Sequence, residues 1–183
     1  MGTKTDDPEL VQRVSQGDVA AYHELLRRHG PKLQNYARRL LRDPGEAEDV
    51  VQETFLTLWQ RAADYEPKAR VTTWLHRIAH NCAIDRLRAR GRLRELDAHD
   101  APPVSATQPA LLDGKRRAQA LDAALSQLPE RQAAALSLVH FHELSGAEAC
   151  EVMGIGREAL ESLLARGRRT LRAKRAEKIE EES

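Results

Sequence analysis

Arginine side chains concentrate on one side of a predicted helix in the last third of the chain. On a helical wheel from Gly156 onward, leucines share one side with Gly167, and the opposite side is rich in guanidinium groups. Such a side suits the major groove of DNA, where Arg reads guanine edges or holds phosphates. The alternative is a solvated helix with an ordinary charged side. The polar side holds Arg157, Glu158, Glu161, Ser162, Ala165, Arg166, Arg168, Arg169 and Arg172.

The residues before this helix predict a shorter helix that meets it at a tight turn. Ser145 can cap the first turn of the shorter helix, and Glu148, three residues on, completes a capping box. Gly154 stands where that helix should stop, because glycine adopts the left-handed conformation without a Cβ clash. The two helices together are typical of a helix-turn-helix unit that presents its second helix to DNA.

A different kind of surface is predicted for the helix from about Pro44 to Ala63. Its core arc contains Val50, Phe55 and Leu58, whereas Leu56 falls in the middle of an acidic and amide arc. An apolar anchor inside a polar rim is typical of a protein-binding patch. The alternative is a stray exposed leucine, which is common on protein surfaces. The polar arc contains Asp49, Gln52, Glu53, Leu56 and Gln60, with Trp59 at its margin.

A third candidate surface lies on the predicted helix from about Thr72 to Arg90. Arg77, Asn81 and Arg88 share its exposed side, and an amide flanked by cations can contact bases and the backbone of a nucleic acid. The alternative for Asn81 is a solvated helix residue. The loop before this helix, residues 64–71, adds Lys68 and Arg70.

Composition indicates which elements position these side chains. The chain has 183 residues, of which 4% are aromatic and 31% are charged, and strand formers are sparse. We therefore expect an all-α protein, and the length suits one domain or two small ones. Gly30-Pro31 predicts a break between helices near the start. The formal net charge of +1 excludes a polycation, so any binding of nucleic acid has to come from local basic surfaces.

The predicted organisation has four parts. Residues 1–92 form a first helical domain, and residues 93–115, with several prolines and little apolar periodicity, form a flexible linker. Residues 116–176 form the helix-turn-helix domain, and residues 177–183 form a charged tail. Cys82 and Cys150 are interpreted as small buried side chains in a reducing compartment. No apolar run is long enough to cross a membrane and no signal peptide is evident, so we expect a cytoplasmic protein without membrane insertion.

Three motifs in this order resemble bacterial sigma factors. The run from Asp43 to Trp59 looks like their core-polymerase-binding segment, and Thr73 to Arg88 is similar to their −10 promoter segment. Leu128-Pro129-Glu130-Arg131-Gln132 with the helix-turn-helix resembles their −35-reading domain. Because no large domain separates these parts, the chain resembles the extracytoplasmic-function (ECF) group, which keeps only the sigma-2 and sigma-4 domains. That resemblance assigns residues 1–92 to sigma-2 and residues 116–176 to sigma-4.

The resemblance implies a transcription initiation factor rather than an enzyme, with no cofactor and no metal. Its partners would be core RNA polymerase, promoter DNA and an anti-sigma factor that holds it inactive. The segment that docks on polymerase corresponds to Asp49, Gln52, Glu53, Leu56 and Trp59. The residues implied at the −10 element are Lys68, Arg70, Arg77, Asn81 and Arg88, with Asn81 contacting a flipped base. Those implied at the −35 element are Arg157, Glu161, Ser162, Arg166, Arg168 and Arg169.

Two positions depart from many relatives, which carry a basic residue where this chain has Glu161 and Leu163. Glu161 either accepts a hydrogen bond from cytosine or pairs with Arg157 or Arg168. Parts of the sequence also fit three other classes of function. One is a zinc site built from His76, His80 and Cys82, although Cys82 points away from His80 on the wheel. The others are a regulator that binds DNA without polymerase, and a helical adaptor that binds only proteins.

Overall fold

The computed structural model describes residues 5–96 and 123–181. Every regular element in these ranges is helical, as the composition predicted, and none of these helices is both long and apolar enough to cross a bilayer. The helices are α1 (Asp7–Ser15), α2 (Val19–Leu41), α3 (Pro44–Arg61), a 3-10 turn (Ala62–Asp64), α4 (Val71–Leu96), α5 (Glu130–Phe141), α6 (Gly146–Met153) and α7 (Arg157–Glu181). Residues 123–126 form a further piece of helix before α5.

Helix α2 runs without a break through Pro31, so the predicted interruption at Gly30-Pro31 is wrong. A proline inside a helix costs about 3 kcal/mol, because it removes a hydrogen bond and crowds the preceding turn. Burial of one large apolar side chain contributes roughly 1.5–3 kcal/mol. Leu25, Leu33 and Tyr36 are fully buried along one stripe that spans Pro31. Together they outweigh the cost of the proline.

The first module consists of α1 to α4, residues 7–96. Asp18 and Asp43 cap α2 and α3, because their carboxylates accept hydrogen bonds from the Ala21 and Glu46 backbone N–H groups at 3.0 and 2.9 Å. α2 and α3 pack closely, and α4 lies against both of them. α4 continues to Leu96, which is into the segment predicted as a linker. The rest of that predicted linker, residues 97–115, lies outside the described residues.

The second module consists of residues 123–181 and contains the predicted helix-turn-helix. Both hydrogen bonds of the capping box form between Ser145 and Glu148, and Gly154 ends α6 with φ +62°. α7 then begins at Arg157. Gly167 packs against α5 so closely that a Cβ there would lie 2.7 Å from Leu136 Cδ1. The sequence-based prediction of this unit is therefore confirmed in its cap, its turn and its packing side.

The two modules pack against each other, which the sequence did not predict. α4 contacts α6, and α2 contacts α5. The Arg42 Nη2 donates a hydrogen bond to the Leu128 carbonyl oxygen at 2.8 Å. The Arg39 guanidinium lies over the Phe141 ring, 4.3 Å from its centroid. The arrangement therefore brings the helix-turn-helix onto the first module.

The cysteines are less buried than predicted. Cys82 and Cys150 are both free thiols that pack against the core with intermediate exposure, so the prediction that both are buried is wrong in degree. Cys82 packs against the core from α4 and also contacts the Glu53 carboxylate. Burial, together with the nearby Glu53 carboxylate, raises the pKa of Cys82 to about 11, which keeps it a thiol at neutral pH.

Candidate protein-binding and nucleic-acid interfaces

The outward side of α3 carries the predicted apolar anchor. Leu56 is 54% exposed and Trp59 is 37% exposed, although both lie on a helix whose other side is fully buried. Phe55 and Leu58 fill the core directly behind them. The buried side therefore fixes the orientation of α3, and this orientation keeps Leu56 in solvent. We call Asp49, Gln52, Glu53, Leu56 and Trp59 the α3 docking surface.

Helix α2 widens this surface in a way that sequence reasoning missed. The ring of Tyr22 meets the ring of Trp59 edge to face, with centroids 5.5 Å apart. Val19, one turn earlier on α2, is 54% exposed. One sequence signal could have revealed this extension: Val19 is an apolar residue directly after the Asp18 cap, and it lies outside the predicted buried side of the helix. The aromatic pair therefore joins α2 to the α3 docking surface, and Val19 adds a further exposed apolar side chain on α2.

The polar rim of the α3 docking surface is only partly free. Asp49 and Gln52 are exposed. Glu53, by contrast, accepts a hydrogen bond from Arg86 of α4, with 2.7 Å between Oε2 and Nη1. This ion pair ties α3 to α4 beside Cys82. Glu53 therefore lies at the edge of the docking surface and is already paired with Arg86 of the same chain.

The outward side of α4 holds the predicted amide and cations together. Asn81, Arg77 and Arg88 are exposed, and all three line a cleft of about 430 Å³. Arg88 also lies 3.4 Å from the Asp85 carboxylate. We call Arg70, Arg77, Asn81 and Arg88 the α4 polar face. Its shape and charge can accept an anionic backbone and a planar base.

The opposite wall of this cleft is helix α6 and its turn. Glu151, Val152, Met153 and Gly154 line it. Glu151 Oε1 lies 3.8 Å from Arg77 Nη1, and Glu148 Oε1 lies 3.5 Å from Arg70 Nη1. Lys68 stands apart on the exposed loop and pairs with Glu66 at 2.7 Å. Two of the predicted −10 cations are thus engaged by carboxylates of the second module.

Helix α7 presents the predicted arginine-rich side to solvent. Arg166, Arg168 and Arg169 are exposed, and Ser162 is half-buried. Arg157 Nε donates a hydrogen bond to Glu161 Oε1 at 3.0 Å. Of the alternatives that the sequence left open for Glu161, the structure shows the ion pair with Arg157. The pair lies one turn into the helix, where it orients the Arg157 guanidinium outward.

His76 and His80, the candidate zinc ligands, have separate partners. His80 Nδ1 lies 2.7 Å from the Tyr36 hydroxyl, whereas His76 Nδ1 lies 2.8 Å from the Thr72 carbonyl oxygen. Burial lowers the pKa of each histidine to about 4, so both rings are neutral at pH 7. Within residues 5–96 and 123–181, no three His, Cys, Asp or Glu side chains converge on a possible metal site.

Comparison with known proteins agrees with the division into two modules. The family model for sigma-70 region 2 matches residues 25–93, and the model for sigma-70 region 4 matches residues 118–171. The first match contains the α3 docking surface and the α4 polar face. The second contains the helix-turn-helix.

Individual relatives point to one group of sigma factors. The ECF RNA polymerase sigma factor SigM of Mycobacterium tuberculosis is 32% identical over 90% of this chain and 82% of its own length. The sigma factor RpoE of Bartonella quintana, solved with the anti-sigma factor NepR, has a TM-score of 0.70 and 26% identity, covering 85% of this chain and 96% of its own. CnrH, solved with the cytosolic domain of CnrY, has a TM-score of 0.67 and 26% identity, covering 91% and 95%. With both sigma regions present in order and a close curated relative along most of its length, the chain belongs to the ECF sigma factors of RNA polymerase.

Proposed function

We propose that this sigma factor binds core RNA polymerase through the α3 docking surface. The proposal rests on the exposure of Leu56 and Trp59 on a helix whose opposite side is buried in the core. A leucine and an indole within a polar rim are the residue types that dominate protein interfaces. The rim of this surface consists of Asp49, Gln52 and Glu53, the last of which already pairs with Arg86. The carboxylates of this rim can pair with cations of the partner.

The −10 element is assigned to the α4 polar face. Extraction of a base from the stack costs a few kcal/mol, which contacts to the base and its flanking phosphates have to offset. Asn81 can hydrogen-bond the edge of a base, and Arg70, Arg77, Arg88 and Lys68 can hold the phosphates. The cleft in front of Asn81 offers the necessary space.

The −35 element is assigned to α7. Its first four turns present Arg157, Ser162, Arg166, Arg168 and Arg169, and Glu161 stays with Arg157. A helix with this density of guanidinium groups fits a major groove, where bidentate contacts to guanine read sequence and single contacts hold phosphates. The main role of Glu161 in this proposal is to orient the Arg157 side chain.

Two further assignments follow from the family. The chain acts in the cytoplasm and performs no covalent chemistry, which polymerase supplies. An anti-sigma factor keeps it inactive, as suggested by the RpoE relative that was solved with NepR. Such an inhibitor would cover the same polymerase- and DNA-binding surfaces.

Transcription in vitro tests the proposal directly. Core polymerase with this chain and a library of genomic promoter fragments should yield transcripts that core polymerase alone does not start. Alignment of the start sites should give two conserved boxes at the −35 and −10 positions. A chain that shifts promoter DNA unaided but yields no transcripts with core polymerase would contradict the proposal.

A further inference from the structure

The beginning of α7 carries an ion pair between two exposed side chains. Arg157 is the first residue of α7, and its Nε donates a hydrogen bond to Glu161 Oε1 at 3.0 Å, one turn along the helix. The two side chains are 87% and 63% exposed, so the pair stands in solvent. A carboxylate on a DNA-binding helix repels phosphates, and its place on α7 therefore needs a physical reason.

The stability of α7 does not supply that reason. A cation in the first turn opposes the helix dipole, which favours carboxylates at this end. The order of the pair, with arginine before glutamate, is also the less favourable one for an i,i+4 contact. Exposed pairs of this kind contribute little to stability in solution. The pair is thus a poor device for forming a helix, and its geometry is better explained by a ligand outside the chain.

The hydrogen bond restricts the direction of the Arg157 guanidinium. It uses the Nε–H and leaves both terminal amino groups at the end of the side chain. In the major groove, these two groups can form the fork that contacts guanine O6 and N7. Without the Glu161 carboxylate, the long arginine side chain could turn toward a nearby phosphate, and a phosphate contact carries no sequence information.

The position of the pair on α7 suits a base edge. In helix-turn-helix proteins, residues at the N-terminal end of the second helix contact base edges in the groove. Arg157 and Glu161 lie at that end, directly after the turn at Gly154. Arg168 lies about 17 Å farther along the helix axis at a rise of about 1.5 Å per residue, so the two ends of α7 meet different parts of the duplex.

We propose that Arg157 and Glu161 act as one unit that reads a guanine at one end of the −35 element. The terminal amino groups of Arg157 contact the guanine, and Glu161 is a positioning residue that holds the arginine away from the phosphates. The inference rests on the proposed −35 role of α7 and adds the base that this end of the helix selects. A bidentate contact of this kind favours guanine over the other bases by about tenfold or more.

A promoter library with a randomised −35 element tests the unit in the complete holoenzyme. Core polymerase with the unaltered chain should select guanine at one position by at least about tenfold, as read from the sequences of the transcribed templates. Arg157→Lys keeps the charge but replaces the fork with a point charge, so this preference should fall to about twofold or less. Glu161→Ala should give the same loss, because the arginine is no longer oriented. Preferences at the other −35 positions should persist in both variants.

Glu158→Ala is the matched control, because Glu158 is an exposed glutamate in the first turn of the same helix. It removes the same charge from the same end of α7 but leaves the hydrogen bond between Arg157 and Glu161 in place, so the guanine preference should be kept. In a chain that already carries Arg157→Ala, Glu161→Ala should change the preference no further, since Glu161 acts through the arginine. A further change would show that Glu161 contacts DNA itself and would overturn its positioning role.

Arg166→Ala separates failure of this inference from failure of the −35 assignment. The inference is wrong, and the assignment stands, if the guanine preference survives Arg157→Lys and Glu161→Ala while Arg166→Ala lowers transcription or alters another −35 position. If none of these three substitutions changes the selected sequences or the amount of transcript, the −35 assignment fails and the inference fails with it. A −35 element without a selected guanine, or an equal loss of the preference in Glu158→Ala, would also overturn the inference.

Discussion

The α3 docking surface and the α4 polar face lie on neighbouring helices of one module, yet only the first is uncovered. Leu56 and Trp59 face solvent, whereas Arg70 and Arg77 face carboxylates of α6. The difference follows from chemistry. The helix-turn-helix carries acidic side chains on α6 that complement a cationic face. Among residues 5–96 and 123–181, no element covers the exposed side chains of Leu56 and Trp59.

The comparison also separates the two DNA-binding regions. Arg166, Arg168 and Arg169 of α7 are exposed while the modules are closed. These arginines are therefore open to a −35 duplex in the packed chain, whereas two cations of the α4 polar face already have carboxylate partners on α6. The predictions below test this contrast, in order of decreasing effect.

Leu56→Arg should remove binding to core polymerase. The change places an unpaired charge at the centre of an interface and deletes its apolar anchor, for a loss of about 3 kcal/mol or more, roughly 100-fold or greater. The fold should survive, because Leu56 is exposed on the side of α3 that faces away from the core. A pull-down with core polymerase and circular dichroism measure the two effects. Gln12→Arg, on the exposed side of α1, should bind normally, and an undiminished pull-down of Leu56→Arg would refute the docking assignment.

Arg166→Ala and Arg168→Ala should each weaken binding of the −35 duplex by about 1–3 kcal/mol if they make bidentate contacts to bases. Titration of a promoter duplex and of a duplex with a scrambled −35 box gives the measurement. A loss confined to the promoter duplex identifies base contacts, and an equal loss on both identifies phosphate contacts.

Asn81→Ala should reduce formation of the open complex by about tenfold and leave initial binding to the duplex almost unaltered. The amide is proposed to contact a base only after the strands have separated, so its loss acts on the melted state. Permanganate footprinting reports the melted state, and a gel shift reports initial binding. Asn35→Ala, another exposed helical asparagine, is the matched control. Equal effects in both assays would assign Asn81 a general role in binding.

Acid should open the contact between the modules. In the packed chain, burial lowers the pKa of His76 to about 4 and that of His142 to about 3. His29 and Lys32 lower the pKa of His76 further, and His76, Arg39 and Lys32 lower that of His142. The groups facing them include Lys32, Arg39 and His29 of α2. Once opened, we expect the ordinary pKa of about 6.5.

The sign of the pH effect follows from these values. A histidine whose pKa is depressed in the closed state binds its proton more readily in the open state, so closure weakens as pH falls below about 6.5. The change from pH 7.5 to 6.0 should favour opening by about fourfold per histidine. Small-angle scattering at the two pH values measures it. His142→Phe should show a smaller response than the unaltered chain, and an equally large response would exclude His142 from the effect.

Local sequence was a reliable guide wherever a cap or a glycine decided the backbone. The Ser145 capping box, the Gly154 turn and the Asp43 cap formed as predicted because each depends on residues within four positions of one another. The predicted helix break at Pro31 was wrong because its outcome depended on residues distant in sequence. Its effect depended on how much apolar surface the flanking turns buried against α3 and α4, which no local window contains.

The amphipathic pattern of the chain was sufficient by itself to predict an all-α protein, the outward position of Leu56 and the arginine-rich side of α7, because helical periodicity separates buried from solvated sides. Only the tertiary structure decided that Tyr22 and Val19 extend the docking surface, that Glu53 pairs with Arg86, and that α6 covers the α4 polar face. Each of these contacts joins residues on different helices. Their distances depend on how whole helices pack, a property to which every buried side chain contributes and which no periodicity along one helix records.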